Sequence, residues 1–480
     1  MATQGNSQED QAEEPFSLIQ AWLDQQQDVE ASSLQEVDYR LQDLQQANLP
    51  PASFYDALEL LFGYLEQHLP ALIEQNVGIH VPIRQHKGAE IEALHTALDN
   101  FALAYEWLQK KLTGTDEEQA LIAERITFCL LYRAYLSYLV AAQLEQGLWF
   151  RMHQAGLKAT PTHNPPDSYR LAILLAAVQP ISYTSRELAQ VFSILMKYAD
   201  SVRFHVMAPL LPKKADSIFW IAPRYDFPLF AMSRRKPLPE EQIFYFDGTH
   251  IAERLMAESK AGNAAASRQA RLRKSILQRA SEALGTPGKR SFPRRKRQSE
   301  LRRITVHIGL EAFWAQLLHE KGQAEKHDLE VREGTQWMIV NESLNGYALM
   351  LMRGKVDSAQ VGDVVGVKTA TGKIWNVCLV RWVQSDNPEH LEIGLQIIAP
   401  EAIPGLTCPD AKSAEDPQPL LFLPGHLPLR ESPAIIAPSG ALTQSRYVVW
   451  LAMGENGEER EVRFLESEPN SRVELFMLSS

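Results

Sequence analysis

Two groups of residues in this chain have types and spacings that could do chemistry. One is the hexapeptide Asn341-Glu342-Ser343-Leu344-Asn345-Gly346, set between the apolar run 337–340 and an alternating run that starts at Tyr347. It makes either a plain hairpin turn or a small polar cradle. The Asn341 amide and Ser343 hydroxyl can donate or accept hydrogen bonds, and Gly346 lets the backbone approach closely or take a positive φ. The other group is cationic. Residues 268–303 hold thirteen Lys or Arg against two acids, Glu282 and Glu300, a local balance of +11 that leaves −22 on the rest of a chain whose formal net charge is −11. A cationic segment on an acidic protein is an anion site, a nucleic-acid tether or a solvated linker.

Several kinds of chemistry find no support. Cys129, Cys378 and Cys408 are too scattered for a disulfide framework or a zinc site. His319 and His327 have no matching carboxylate or thiolate at ligand spacing, so no metal is expected. There is no Gly-x-Ser-x-Gly elbow, phosphate-binding Walker loop or dinucleotide fingerprint, and the acidic pairs Glu117-Glu118 and Glu458-Glu459 suit exposed helix starts and turns. No catalytic residue is assigned, and the reading is of a protein that is not an enzyme. Residues 1–14 read as a disordered acidic tail without the basic and apolar regions of a signal peptide. The most apolar helical run, 128–142, carries Arg133 and falls short of the ~20 apolar residues that span a bilayer. A cytoplasmic protein without membrane insertion is expected, and Asn341-Glu342-Ser343 is then a glycosylation acceptor in letters only.

The elements that must position these residues follow from periodicity. With 480 residues, 45% of them hydrophobic, the chain is expected to form roughly two to four domains of an α+β multidomain protein. An all-helical domain is read over 15–205. Ile91, Leu94, Leu98, Phe101, Tyr105, Leu108 and Leu112 recur at threes and fours, Thr115 with Glu118 makes a capping box, and Ser185 is the candidate cap of a later helix. Such a domain serves as a platform for an unidentified protein partner. Residues 206–260 form a small mixed strand and helix segment, and 261–300 a basic linker. A compact β-barrel over 301–402 includes a short helix at 311–320. Val377 and Leu379 alternate there with Cys378, Val380 and Trp382, and both Trp375 and Trp382 are read as core. A further β domain covers 415–480, with a hairpin at Glu455-Asn456-Gly457-Glu458.

An arginine cluster, a strand, the Asn-x-Ser-x-x-Gly turn and a second strand together resemble the PilZ domain, a bacterial receptor module for the second messenger cyclic di-GMP. The later strands 361–369, 377–383 and 392–398 are similar to that module as well, so the resemblance covers 294–402. It implies a PilZ-like small β-barrel and cyclic di-GMP as ligand, with no other cofactor. Asn341, Ser343 and Gly346 match the turn motif. The paired arginines are Arg294 with Arg297, or Arg297 with Arg302. Asn341 stands where Asp is commoner, and the helix 311–320 is inserted before the motif strand. A guanidinium fork grips phosphate oxygens or the guanine O6/N7 edge with two parallel hydrogen bonds. The expected function is a receptor that relays binding to a protein partner in motility, pili, polysaccharide or biofilm control. The alternatives are a PilZ-like scaffold without ligand and, ranked last, nucleic-acid binding through the basic stretch.

Overall fold

A computed structural model describes residues 16–25, 31–158, 165–206, 215–237, 242–261, 267–287, 303–323, 331–369, 372, 374–387, 390–408, 417–427, 429–442, 446–453, 457–469 and 472–479. The expected tail 1–14 and the arginines Arg294, Arg297 and Arg302 lie outside the described residues.

The N-terminal part is helical: α1 (16–23), α2 (Ala31–Gln46), α3 (Pro51–Glu74), α4 (Gln85–Lys111), α5 (Asp116–Leu139), α6 (Leu148–Lys158), α7 (Asp167–Ala177) and α8 (Ser185–Met196). The stripe read on α4 is buried from Ile91 to Leu108. At the head of α5, the Thr115 hydroxyl accepts from the Glu118 N–H at 3.2 Å and the Glu118 carboxylate from the Thr115 N–H at 2.7 Å. The cap of α8 is Thr184 rather than Ser185. Only Thr184 stands three residues before Glu187, and the two exchange the same reciprocal bonds. Ser185 instead accepts from the Gly78 N–H at 3.0 Å.

Strands β1 (Phe204–His205), β2 (Ile218–Ile221), β3 (Phe230–Ala231) and β4 (Phe244–Asp247) form a sheet in the order β1-β4-β2-β3, followed by α9 (Thr249–Ala261) and α10 (Arg268–Gly285). Two expectations change here. The segment 206–260 shares one core with the helices, since Phe219, Ile221, Phe246 and Leu255 pack in the same cluster as the α3–α8 residues. The Asp226 carboxylate further ties it down by accepting from Trp149 N–H at 2.9 Å and Phe150 N–H at 3.2 Å at the start of α6. The first half of the stretch read as a linker is the helix α10. Ile276, Leu277, Ala280 and Leu284 recur at helical spacing and are buried beneath the basic composition, and Ser267 caps them.

Two closed six-stranded barrels follow. The first consists of β5 (Arg303–Ile308), β6 (Thr335–Ser343), β7 (Gly346–Arg353), β8 (Val364–Thr369), β9 (Asn376–Asn387) and β10 (His390–Ala399). The second consists of β11 (Ile403–Cys408), β12 (Pro419–Leu423), β13 (Ala434–Pro438), β14 (Arg446–Leu451), β15 (Glu458–Pro469) and β16 (Val473–Leu478), so the C-terminal β structure starts ahead of the expected 415. Alternation sorts the first barrel's residues. Val365, Val367, Cys378 and Val380 fill its interior. Val364, Val377 and Leu379 face outward onto α11 (Leu310–Glu320), whose Phe313, Trp314, Leu317 and Leu318 pack in one cluster with Leu421, Leu423 and Ile436 of the second barrel. Gly366 makes room for this, because a Cβ there would lie 2.2 Å from the Phe313 ring. The first barrel also meets the helical part: Ala359 N–H donates to Val81 O at 2.7 Å, and Ser385 N–H to Ala141 O at 2.8 Å.

Phe313→Ala removes the ring that fills the space between the barrels and is expected to destabilise the paired barrels by about 3–5 kcal/mol, read by urea unfolding. A second expectation concerns His153, fully buried, whose Nε2–H donates to Phe227 O and whose Nδ1 accepts from the Tyr169 hydroxyl, each at 2.9 Å. Burial pulls this imidazole down to about 4. The unfolded chain therefore binds more protons between about 6.5 and 4. Stability is lost as pH falls through that window, by up to about 1.4 kcal/mol per pH unit. A His153→Gln variant should show a flatter dependence of melting temperature on pH over that range.

Candidate functional site

The motif hexapeptide is the β6–β7 hairpin. Ser343 pairs with Gly346, Glu342 with Tyr347 and Asn341 with Ala348. Gly346 serves by close approach and not by positive φ: a Cβ there would lie 2.0 Å from the Leu395 carbonyl oxygen of β10. The turn is held on that strand by the Ile397 N–H, which donates to Asn345 O at 2.8 Å. Ser343 Oγ donates to Gly346 O in a long bond at 3.4 Å, and its oxygen can still accept. Asn341 Oδ1 is buried and has no hydrogen-bond partner among the described residues.

Strand register decides which side chains share this face. On β6, Trp337 and Ile339 belong to the interior cluster, so strict alternation would turn Asn341 inward as well. The ladder skips Val340, however, since Ile339 faces Leu349 and Asn341 faces Ala348. That bulge turns Asn341 and Ser343 outward and Glu342 inward, beside Tyr347. Burial first, and then Cys378 and Glu342, push the Tyr347 phenol up to about 12, while Asn376 donates to its oxygen at 3.2 Å. A second bulge does the same on β9. Cys378 and Val380 face inward, the ladder skips Arg381, Trp382 faces Gly394, and Val383 returns to the interior.

Trp382 is thus not core, against expectation, whereas Trp375 is buried as expected. The row across the outer face runs Asn341, Ala348, Gly394, Trp382. Gly394 makes room for the indole, for a Cβ there would meet Trp382 Nε1 at 1.8 Å. The neighbouring row toward the rim runs Ser343, Gly346, Gln396, and Arg381 Nε donates to the Gln396 amide oxygen at 2.6 Å. On the other side, exposed Arg303 at the start of β5 faces Met338, whose neighbour is Met350.

The result is one outer face on which Ala348 and Gly394, the latter beneath Trp382, lie between polar Asn341 and Ser343 on one side and Trp382 with Arg381 on the other. Such a surface suits a flat heterocycle with a polar edge and an anionic group: the indole offers a stacking face, the guanidinium a charge, and the amide and hydroxyl directional bonds. Of the residues expected at the site, the structure brings Asn341, Ser343 and Gly346 together; Arg294, Arg297 and Arg302 lie outside the described residues. Sequence reading missed Arg381, Trp382 and Gln396. The available signal was Gly394, an isolated glycine within a strand pattern, which marks a bulge or a close approach. Among the described residues, no group of three or more His, Cys, Asp or Glu is placed to hold a metal.

A family model described as the middle PilZ domain of the cyclic-di-GMP receptor FimW matches residues 315–404, and one described as the N-terminal domain of the same receptor matches residues 17–210. The chain is also similar to the cyclic-di-GMP receptor FimW of Pseudomonas aeruginosa, at 33% identity over 66 residues. That alignment spans 14% of this chain and 11% of the relative. The chain carries a FimW-type PilZ domain, the first barrel, behind a helical domain of the FimW N-terminal type.

Proposed function

We propose that this chain is a receptor for cyclic di-GMP, which it holds on this outer face of the first barrel. The observation that carries the reading is the row Asn341, Ala348, Gly394, Trp382, which sets the indole over Gly394 and the Asn341 amide on one face, with Ala348 between them. One guanine stacks on Trp382 with its polar edge toward Asn341 and Ser343. Arg381 and the arginines of the basic stretch, Arg294, Arg297 and Arg302, take phosphate oxygens or the O6/N7 edge of guanine. What supports that assignment for the basic stretch is the direction of entry: the chain enters β5 at Arg303, opposite Met338, three residues before Asn341 on β6. Each bidentate base contact is worth ~1–3 kcal/mol of discrimination.

On this reading the chain is a non-catalytic effector. It works in the cytoplasm and passes the binding signal through its helical domain to a protein partner in motility, pili, polysaccharide or biofilm control. Among the described residues no helix is long and apolar enough to cross a membrane.

Calorimetric titration of the purified chain with cyclic di-GMP tests the proposal. Stacking on an aromatic is worth ~1–3 kcal/mol per base, so Trp382→Ala should weaken binding by about 5- to 100-fold. Ser343→Ala and Arg297→Ala should each weaken it without lowering the melting temperature by more than a degree or so. Wild-type affinity in both the Trp382 and the Ser343 variants would rule this site out.

A further inference from the structure

The two barrels share one connectivity. In the first, β5 pairs with β6 and β8, β7 with β6 and β10, and β9 with β8 and β10. In the second, β11 pairs with β12 and β14, β13 with β12 and β16, and β15 with β14 and β16. Taken in chain order these are the same closed ring, although neither family match extends beyond residue 404. The corner of the second barrel that corresponds to the ligand turn is therefore the β12–β13 connection, between Leu423 and Ala434.

That corner is closed. Arg430 Nε donates to Ser432 O at 2.7 Å, and its Nη2 donates to Leu423 O at 3.3 Å and Pro424 O at 3.2 Å. His426 and Arg430 exchange backbone hydrogen bonds at 2.7 and 2.9 Å, and Gly425 lies against Glu431 O, where a Cβ would be 2.2 Å away. The fork thus spends its donors on main-chain carbonyls, and the polar Asn-x-Ser-x-x-Gly arrangement is missing between Leu423 and Ala434. The remaining nitrogen, Nη1, leaves the second barrel and donates to Ile398 O on β10 in a long bond at 3.5 Å, the weakest of the four contacts. Ile398 follows Ile397, the residue whose N–H holds the ligand turn at Asn345. Its side chain packs against the cluster of α11 and the second barrel.

We infer that the second barrel is a PilZ-type barrel in which Arg430 fills the corner that the first barrel leaves to a ligand, and that this arginine couples the ligand turn of the first barrel to the second through the end of β10. The chain then has one ligand site, and the second barrel is fixed on the strand that responds when the site is filled. The coupling stands on geometry alone; the statement about a single site rests on the cyclic di-GMP reading.

Amide hydrogen exchange on the full chain tests the coupling without ligand. In Arg430→Ala, protection should fall within 423–433 and also at Ile397, by at least about tenfold at the latter. Arg430→Lys, which keeps charge and stem but offers a single ammonium where three or four carbonyls converge, should behave similarly and covers the case that the alanine variant does not fold. Exchange that rises only within 423–433, with Ile397 protected as in wild type, would overturn the coupling. Titration with cyclic di-GMP supplies the second arm: one class of site is expected, weakened in Ser343→Ala. Binding that is undiminished in Ser343→Ala and disappears in Arg430→Ala would show the second barrel taking ligand and would overturn the inference. No binding by the wild type would instead sink the reading of the first barrel, leaving the exchange result to decide the coupling.

Discussion

The outer face of the first barrel depends on two interruptions of a period of two. A strand sends alternate side chains to opposite faces, and one extra residue moves everything after it to the other side. Val340 on β6 and Arg381 on β9 are those extra residues. Without the first, Asn341 and Ser343 would point into a core built of Trp337, Leu349 and Ile393, where an amide without partners is costly. Without the second, Trp382 would be one more interior side chain. With both, an indole, an amide and a hydroxyl share one face, the indole over Gly394 and Ala348 between it and the amide. The same bulge turns Glu342 inward beside Tyr347.

Around this face the two barrels and the helical part are packed against one another. Helix α11 fills the space between the barrels, so the outward residues of β8 and β9 are core for the pair. At the other contact, Asp363 is buried and raised in pKa by that burial, against which work the Arg472 guanidinium at 2.8 Å and the Gln360 N–H, also at 2.8 Å. Arg472 comes from the second barrel, Gln360 from the loop that pairs with Val81 of the helical part, and His80 of that part bonds Gln360 at 3.0 Å. Only the Asp363 end of this ion pair is buried while Arg472 is exposed, so the pair is weak evidence for stability and better evidence for a defined arrangement. Helix α10 joins the same junction, with Arg279 beside Glu187 of α8 at 3.3 Å and Arg271 beside Glu474 of β16 at 3.8 Å.

Much of the architecture was legible because it rests on local rules. The helical stripe of α4, the capping box at Thr115, the strands on both sides of the hexapeptide and the helix at 310–320 are all short-range patterns, and each is present. The errors are also local in origin. Ser185 as the cap is one residue late. Basic composition masks the apolar stripe of α10. Alternation places Trp382 in the core only if the bulge at Arg381 is overlooked.

By itself, then, the sequence determined the order of elements and the residues of the motif turn, because hydrophobic period, caps and turn chemistry act over a few positions. Tertiary structure alone decided that Trp382, Gly394 and Arg381 join that turn, since residues about 40 positions apart in the chain become neighbours only when the barrel closes. It also decided that the C-terminal strands repeat the ring of the first barrel: strand pairing is a long-range property, and the two corners share no residue pattern that could have revealed it.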